Sequence, residues 1–479
     1  MKTRLASLWL VSVLLLILAP FAMASTTWYV DGVNGNDGND CKTRQTACKT
    51  IGHAISLASA GDTIGVGPAT YTENLTIPIS LRLIGSSAPT TIIDGGGLDT
   101  VVKIVKRSAH VTLSKLTVQG GGFGSSQFAT GGGISNSGTV TIDNNVIQEN
   151  DGGGLLNNNG TAMISNSLIK ANHSGETGGG IWNNGEMTIS HSSISGNISG
   201  NSVTAKYCGD IGAHCMGGGI YNEGTLTIND SILSANSVGS SKLVGDGGGI
   251  FSADFGATSP TLTINRSTIS NNVATGGGGG ISAGYLTTMT INNSTISGNA
   301  GGGAAGIQTE ATGMINNSTI SGNRASNVGG GINNGGTLTL GNTTVSENSA
   351  SSRMGGGIRN YGGTTTLQNS IIANNSQGDN CNGTILSNGY NLSGDGTCNF
   401  SGPGDLNNTD PKLGPLQNNG GPTKTQALLS GSPAIDAGNP NGCTDGNGHL
   451  LKTDQRGKPR PDKEDTGGCD MGAYERQSD

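Results

Sequence analysis

The middle of the chain repeats two short patterns of apolar and polar positions. One is a glycine triplet followed by an aliphatic residue, seen first as Gly131-Gly132-Gly133-Ile134. The other reads T-L-T-I-x-x-S-x-I-S-x-N, and its two apolar anchors lie five residues apart, as at Ile264 and Ile269. Most copies are about 26 residues apart, which predicts a stacked array of coils. The aliphatic residues after the triplets are Ile134, Leu155, Ile181, Ile220, Ile250, Ile281, Ile332 and Ile358, with a degenerate copy before Ile307.

Each repeat alternates apolar residues with Ser, Thr or Asn over short segments bounded by glycine or asparagine, which is typical of strands and turns. No segment of the repeat offers ten residues of helical periodicity, so a helical solenoid is disfavoured. We therefore predict an all-β fold, a right-handed parallel β-helix of roughly a dozen coils with three strands each. In this fold Ile181, Ile220, Ile250 and Ile281 form one inward row.

An asparagine recurs three residues after the second apolar anchor of each repeat. We predict that it occupies a turn, because Asn tolerates left-handed backbone angles and stacked amides hydrogen-bond from coil to coil. The residues concerned are Asn150, Asn172, Asn197, Asn236, Asn272, Asn299, Asn323, Asn348 and Asn375.

The two ends of the chain depart from the repeat. Residues 1–24 are expected to be a signal peptide, with an apolar run after Lys2 and Arg4 and a cleavage site at Ala22-Met23-Ala24. Residues 25–61 are a predicted N-terminal cap with a short helix near residues 50–58, and residues 378–479 are a predicted irregular C-terminal module. The β-helix is predicted over residues 62–377, beginning with segments at Thr63 to Val66, Leu75 to Ile77, Leu81 to Ile84, Thr91 to Ile93, Val101 to Val105 and Val111 to Val118.

Charge and hydropathy limit which binding partners and which cellular compartment are expected for the protein. Removal of the signal leaves 23 of the 25 basic residues against 32 acidic ones, and a chain of this charge without a basic cluster repels nucleic acid. No second apolar stretch is long enough to span a bilayer. We therefore expect a secreted, extracellular protein, either free or associated with a cell surface.

Eight cysteines in an exported chain predict four disulfides. Distant coils of a rod do not touch, so the pairs are expected to be local in sequence. A zinc site is disfavoured because no CxxC spacing is present. The predicted pairs are Cys41–Cys48, Cys208–Cys215, Cys381–Cys398 and Cys443–Cys469.

Both ends carry motifs that resemble those of bacterial secreted right-handed β-helix proteins. The opening motifs are Trp28-Tyr29-Val30-Asp31-Gly32, Cys48-Lys49-Thr50-Ile51, Gly61-Asp62-Thr63-Ile64 and Tyr71-Thr72-Glu73-Asn74. The terminal motifs resemble the choice-of-anchor Q region, and they are Asn419-Gly420-Gly421-Pro422-Thr423, Ser432-Pro433-Ala434-Ile435-Asp436, Asp454-Gln455-Arg456-Gly457, Arg460-Pro461 and Cys469-Asp470-Met471-Gly472-Ala473-Tyr474-Glu475. The resemblance implies a surface-anchoring signal after this region. Because no sorting motif or apolar tail follows Glu475, we expect free secretion or attachment through another protein.

Patterns for catalysis or metal binding are weak. Gly280-Ile281-Ser282-Ala283-Gly284 matches a nucleophile elbow but lies within a repeat strand, with no helix after it. We expect no cofactor, and calcium is the alternative at two polar segments that are equally interpretable as turns. These are Asp31, Asn34, Asn36, Asp37, Asn39 and Asp40, and the run Asp445-Gly446-Asn447-Gly448. In the C-terminal module Asp436, Arg456, Arg460, Asp470 and Glu475 are expected to form structural ion pairs.

The candidate binding residues come from the position after each glycine-triplet anchor, which faces outward because strand side chains alternate. Trp182, Tyr221 and Phe251 occupy this position in consecutive repeats, in a chain with only 4% aromatic residues. Stacked at the strand spacing they form an apolar strip for sugar rings, with Glu223 and Asp254 at its edge. The competing interpretation is that the inserted loop around Cys208 and Cys215 covers the rings, or that they only stabilise each other.

Three functions remain compatible with the sequence. The first is a noncatalytic extracellular rod for adhesion or structure, and the second is a rod of this kind that binds carbohydrate. The alternative is a polysaccharide lyase or glycoside hydrolase of the pectin-lyase-like β-helix type, which rests on fold analogy alone. Basic residues in the coils do not cluster beside acidic ones, so the enzymatic alternative is the less favoured. The expected partner is an extracellular polysaccharide or a cell-surface component.

Overall fold

The computed structural model describes residues 25–122, 131–200, 215–240, 243–253, 256, 259–351, 354–463 and 468–477. These residues form a right-handed parallel β-helix, which confirms the predicted fold class. Every pairing between its named strands is parallel, and sheets 1, 2 and 3 hold 14, 12 and 13 strands. A short fourth sheet of 7 strands was not expected from the three-strand repeat.

The strands of each sheet follow one another in chain order. Sheet 1 consists of Thr27–Val30, Thr63–Val66, Leu81–Gly85, His110–Ser114, Thr139–Asp143, Thr161–Ser165, Glu186–Ser190, Thr225–Asn229, Thr261–Asn265, Thr288–Asn292, Thr312–Asn316, Thr337–Gly341, Thr364–Gln368 and Ile385–Ser387. Sheet 2 consists of Leu75–Ile77, Val102–Ile104, Ile134–Asn136, Leu155–Asn157, Ile181–Asn183, Ile220–Asn222, Ile250–Ser252, Ile281–Ala283, Ile307–Thr309, Ile332–Asn334, Ile358–Asn360 and Cys381–Asn382.

The remaining strands complete the coils. Sheet 3 consists of Ala69–Thr72, Thr91–Asp94, Thr117–Gln119, Val146–Gln148, Leu168–Lys170, Ser193–Ser195, Ile232–Ser234, Thr268–Ser270, Thr295–Ser297, Thr319–Ser321, Thr344–Ser346, Ile371–Ala373 and Leu392–Ser393. Sheet 4 consists of His173–Ser174, Ile198–Ser199, Ser237–Val238, Val273–Ala274, Ala300–Gly301, Arg324–Ala325 and Ser349–Ala350. Cys215–Met216 and Gly245–Asp246 form a separate pair, and the helix is Ile51–Leu57.

Aliphatic side chains stacked in register fill the interior. Ile181 pairs with Ile220, Ile220 with Ile250, and Ile250 with Ile281, and all four have no solvent exposure. The predicted inward row is therefore confirmed. Each step places one branched side chain directly on the next, so this position holds an aliphatic residue, usually isoleucine, in nearly every coil.

The first position of the triplet requires glycine for a conformational reason. Gly217 has φ +63°, and a Cβ built there would lie 2.3 Å from the carbonyl oxygen of Ile220. A side chain at this position would therefore clash with its own strand, in addition to the strain of a left-handed backbone. Where it occurs, the triplet bends the chain sharply before the strand of sheet 2 that follows it.

The predicted asparagine ladder is present inside the rod. The Nδ2 of Asn197 donates to the Oδ1 of Asn236 at 2.9 Å, and Asn236 donates in the same way to Asn272 at 3.0 Å. These amides are fully buried, and each Nδ2 also donates to a carbonyl oxygen of the preceding coil, such as Ile194 for Asn236. The left-handed backbone angle lies one residue earlier, at Ala235 with φ 55° and Asn271 with φ 55°. The ladder asparagine therefore satisfies buried backbone groups, while the residue before it makes the bend.

The N-terminal helix lies against the first strands, as the sequence predicted. Its residues Ile51, Ala54 and Ile55 are buried, and the Thr50 side chain caps its N-terminus by accepting from the His53 amide. The Glu73 carboxylate accepts from the amides of Ile51 and Gly52 at 2.9 and 2.8 Å. Thr27–Val30 pairs with Thr63–Val66, so the cap contributes the first strand of sheet 1.

Two predicted details differ in the structure. The segment from Val111 to Val118 forms two strands in different sheets, because Lys115 adopts a positive φ of 59° and turns the chain. Parallel pairing also continues beyond residue 377, up to Leu392–Ser393. The repeat pattern fades before the coils end because Gly378-Asp379-Asn380 replaces the glycine triplet before the strand at Cys381.

The residues after the last strand close the end of the rod and then return along its side. Phe400 is buried with Cys381, Cys398 and Ile385 in the main hydrophobic core. The later residues lie on the outer face of sheet 3, where the Thr295 hydroxyl donates to the Lys424 carbonyl and the Thr319 hydroxyl to Gln455 Oε1, both at 2.6 Å. The C-terminal module therefore packs along the flank of several coils as well as across the end.

A buried ion pair holds the last residues of this module. The Nε of Arg460 donates to Glu475 Oε2 at 2.7 Å, and both side chains are fully buried. The same guanidinium donates to Asn317 Oδ1 of the β-helix at 3.0 Å and to the Gly472 carbonyl at 2.8 Å. Arg456 pairs with Asp454 at 2.7 Å. The terminal motif residues thus link the module to itself and to the coil at Asn317.

Disulfides connect cysteines that are close in sequence. Cys41 bonds to Cys48, Cys381 to Cys398 and Cys443 to Cys469. Cys215 is also disulfide-bonded, and its predicted partner Cys208 lies outside the described residues.

We expect Asn236→Ala to lower the free energy of unfolding by about 3 kcal/mol, because the change leaves the Ile194 carbonyl and the Asn197 amides without their buried partner. Chemical denaturation followed by circular dichroism measures this. Asn158→Ala removes an exposed asparagine and serves as the matched control. Equal destabilisation by both variants would contradict the role of the interior ladder.

We expect Arg460→Met to release the C-terminal module while the coils stay folded. The substitution leaves the Glu475 carboxylate buried without its cation, which costs about 3–5 kcal/mol in comparable pairs. Limited proteolysis should then cleave after residue 409 much faster than in the unmodified protein. Arg107→Met, which changes an exposed arginine, is the control, and an unchanged cleavage rate in Arg460→Met would refute the assignment.

Candidate functional site

The predicted aromatic row lies on the outer side of sheet 2. Trp182 pairs with Tyr221 and Tyr221 with Phe251 in the parallel register, next to the inward isoleucines of the same strands. The alternation of the strand therefore places these three rings in consecutive coils, as expected from the spacing of their motifs.

The three rings contact one another along the rod. The centroids of Trp182 and Tyr221 are 5.9 Å apart with the planes tilted by 55°, and those of Tyr221 and Phe251 are 5.7 Å apart in a stacked arrangement at 29°. Both separations lie in the range of favourable aromatic pairs. The rings form a continuous column rather than three independent side chains.

Glu223 holds the polar ends of two rings. Its Oε2 accepts from the Trp182 indole nitrogen at 2.9 Å, and its Oε1 accepts from the Tyr221 hydroxyl at 2.7 Å. We name Trp182, Tyr221, Phe251 and Glu223 the aromatic column.

Exposure decreases along the aromatic column. Trp182 is half-buried, whereas Tyr221 and Phe251 are 4% and 8% exposed. Met216 and Ala253 pack against the rings, and both come from segments beside the strands of sheet 2. Only the Trp182 end therefore offers appreciable ring surface. Asp254, the other predicted edge residue, lies outside the described residues.

The turn between sheets 2 and 1 presents further polar and aromatic residues that the sequence motifs did not reveal. Glu223 directly follows the strand Ile220–Asn222. Glu310 and Tyr361 occupy the same position in later coils, directly after Thr309 and Asn360. The signal was available in the sequence, because aligning the residue directly after each sheet 2 strand puts these three side chains in one column.

The possible calcium segment near the N-terminus is arranged as a polar turn. Asp31 Oδ1 accepts from the amides of Val33 and Asn34 at 2.9 and 3.0 Å, and these two amides, that of Asn34 foremost, lower the pKa of the Asp31 carboxyl. Asp37 Oδ1 accepts from the amides of Lys49 and Thr50 at 2.8 and 3.0 Å. These carboxylates are engaged by their own loop, which supports the turn interpretation over a cation site.

The second acidic segment, Asp445-Gly446-Asn447-Gly448, is also arranged as a polar turn. Asp445 Oδ1 accepts from the amides of Asn447 and His449, both at 2.9 Å, and its Oδ2 lies 3.2 Å from the His449 ring nitrogen. In the described part of the chain, the one group with metal-ligand geometry is Cys41, Cys48 and His53, and its two sulfurs are bonded to each other. Across the same residues, no helix combines the length and the apolar character needed to cross a bilayer.

Comparison with solved structures shows the fold. The protein XylC in complex with xylose aligns with a TM-score of 0.52 at 10% identity, covering 94% of this chain and 98% of XylC. A pectin methylesterase in complex with a hexasaccharide aligns at a TM-score of 0.22, 11% identity and coverage of 76% and 81%. The pectin methylesterase PemA from Erwinia chrysanthemi aligns at 0.21 with the same identity and coverage. No family model matches the chain, and comparison with curated proteins produces no match.

Proposed function

We propose that this protein is a secreted, noncatalytic β-helix rod that binds an extracellular polysaccharide at the aromatic column. The supporting observation is the half-buried Trp182 ring, whose indole is fixed by Glu223 at the open end of three contacting rings. A fixed indole face is suited to the C–H face of a pyranose ring, since the ring loses no mobility on binding. Glu223, which fixes the indole, would lie beside the sugar hydroxyls at the edge of the aromatic column.

The proposed location outside the cell rests on the disulfides and the expected signal peptide. Three disulfides and the bonded Cys215 are typical of an oxidising compartment. We also propose the division into a cap at residues 25–61, a β-helix that begins at residue 62 and a C-terminal module at residues 378–479, whose first part, up to Ser393, supplies the last strands of the β-helix. The terminal module would then be a choice-of-anchor Q region that attaches to the rod through Arg460 and Gln455.

Carbohydrate as the ligand class agrees with the fold and with XylC, which binds xylose. The alternative, a polysaccharide lyase or glycoside hydrolase, requires a base or a pair of carboxyl groups placed around the scissile bond. At the aromatic column Glu223 uses one lone pair on each oxygen to orient Trp182 and Tyr221. This arrangement supports binding more directly than proton transfer.

We expect Trp182→Ser to weaken polysaccharide binding by roughly tenfold, because it removes the exposed ring face of the aromatic column. A glycan array identifies the ligand, and titration calorimetry compares the variant with the unmodified protein. Thermal denaturation is measured in parallel, since the ring also contacts Tyr221.

Phe251→Leu provides the matched control, because it alters the covered end of the same column. Unchanged binding in Trp182→Ser would refute the site. Release of unsaturated or reducing sugars by the unmodified protein would refute the noncatalytic assignment and favour the enzymatic alternative.

A further inference from the structure

A second surface of the rod combines exposed aromatic rings with a carboxylate. It is an open cleft of about 490 Å³ at the turn between sheets 2 and 1, in the coils that follow the aromatic column. Its walls include Tyr285, Leu286 and Glu310, and its floor includes Gly335, Gly336 and Gly362. We call it the tyrosine cleft.

Tyr285, which lines the cleft, and Tyr361, which borders it by packing on Gly335, are unusually exposed for this molecule. Tyr285 is 79% exposed and Tyr361 is 41% exposed, and they are the two aromatic residues among the exposed large apolar side chains of the described ranges. Leu286 beside Tyr285 is 41% exposed. Other exposed apolar side chains of the described ranges are aliphatic, whereas this cleft combines exposed aromatic rings with a leucine, and a grouped apolar surface of this kind marks a binding surface.

The ring of Tyr361 is held in place from three sides. A Cβ at Gly335 would lie 2.6 Å from Tyr361 Cζ, so the ring packs directly on this glycine. The Tyr361 hydroxyl donates to Glu310 Oε1 at 3.2 Å, and the Arg359 guanidinium lies 5.0 Å from the ring centroid. Burial, followed by the Glu310 charge, raises the pKa of the Tyr361 hydroxyl, so it stays protonated and donating at neutral pH.

Glu310 retains acceptor capacity. Among the described residues, its Oε1 bonds to Tyr361, and its Oε2 has no recorded partner. Arg359 is oriented by a bond from its Nη1 to Asn333 Oδ1 at 3.2 Å. The cleft thus offers one carboxylate oxygen as an acceptor and guanidinium hydrogens as donors, next to a fixed ring.

A row of threonine hydroxyl groups lies between the two tyrosines. Thr288, Thr312, Thr337 and Thr364 are exposed and paired in register at the start of successive sheet 1 strands. Three steps of about 4.8 Å separate the first from the last, which corresponds to roughly 14 Å along the rod. Tyr285 lies in the coil of Thr288, and Tyr361 in that of Thr364.

We propose that the tyrosine cleft binds a neutral pyranose oligosaccharide lying parallel to the rod axis, with a sugar face on the open Tyr285 ring, the edge of the Tyr361 ring beside it and hydroxyls on Glu310. Neutral sugars are favoured because the Glu310 carboxylate and the Arg359 guanidinium leave no net charge to attract a uronate, while the carboxylate accepts from vicinal hydroxyls. This inference rests on the proposed carbohydrate function for its ligand class only. Its residues are separate from those of the aromatic column.

The test is titration calorimetry with three probes: xylohexaose and cellohexaose as neutral chains, and hexagalacturonate as an anionic chain of the same length. We expect the unmodified protein to bind at least one neutral probe more tightly than the anionic one. Tyr285→Ala and Tyr361→Ala should each weaken binding by about tenfold, and Glu310→Gln by about tenfold or more. Leu98→Ala, which changes a side chain 75% exposed elsewhere on the rod, should leave the affinity unchanged.

Trp182→Ser separates this inference from the proposed function. Loss of binding in Trp182→Ser with full affinity in Tyr285→Ala and Tyr361→Ala would overturn the tyrosine cleft and leave the aromatic column. The reverse pattern supports the cleft and overturns the aromatic column as the site. Binding of hexagalacturonate alone would overturn the neutral ligand class, and binding of none of the probes would overturn the cleft.

Discussion

Stacking of one coil on the next in strict register is the constraint on which the other features depend. A coil has no partner for its backbone groups except the coils above and below, so each strand must repeat the register of its neighbour. At the turns no strand pairing is available, and the buried asparagine ladder supplies the missing bonds, as in the chain from Asn197 through Asn236 to Asn272. An amide serves better here than a hydroxyl, because it donates to its neighbour and to a carbonyl while accepting from the previous coil.

The same register governs the outside of the rod. Each outward position of the repeat forms a column of side chains at the strand spacing. Functional side chains on the surface are therefore arranged in lines parallel to the rod axis. The aromatic column and the tyrosine cleft are both products of this rule, since each collects residues from consecutive coils. Their difference lies in the covering segments: Met216 and Ala253 pack on the rings of the aromatic column, whereas Tyr285 remains open.

The outer face of sheet 3 shows how the C-terminal module binds particular coils of a repeating surface. Thr295, Thr319, Thr344 and Ile371 occupy one outward position of sheet 3 in four coils, and the C-terminal module buries them. In earlier coils the equivalent position is uncovered, and Ile232 there is 50% exposed. The module finds its place through individual bonds such as Arg460 to Asn317 and Gln455 to Thr319, because the repeat alone makes all coils alike.

The sequence by itself determined the β-helix, its inward isoleucine row, the N-terminal helix and the local disulfides at Cys41, Cys381 and Cys443. These features are local or periodic, so spacing along the chain is enough to reveal them. Tertiary structure alone decided how far Tyr221 and Phe251 are covered, and where the C-terminal module lies. It also decided that Tyr361 meets Glu310 across 51 residues, since contacts between coils depend on loop lengths and side-chain packing that no single repeat encodes.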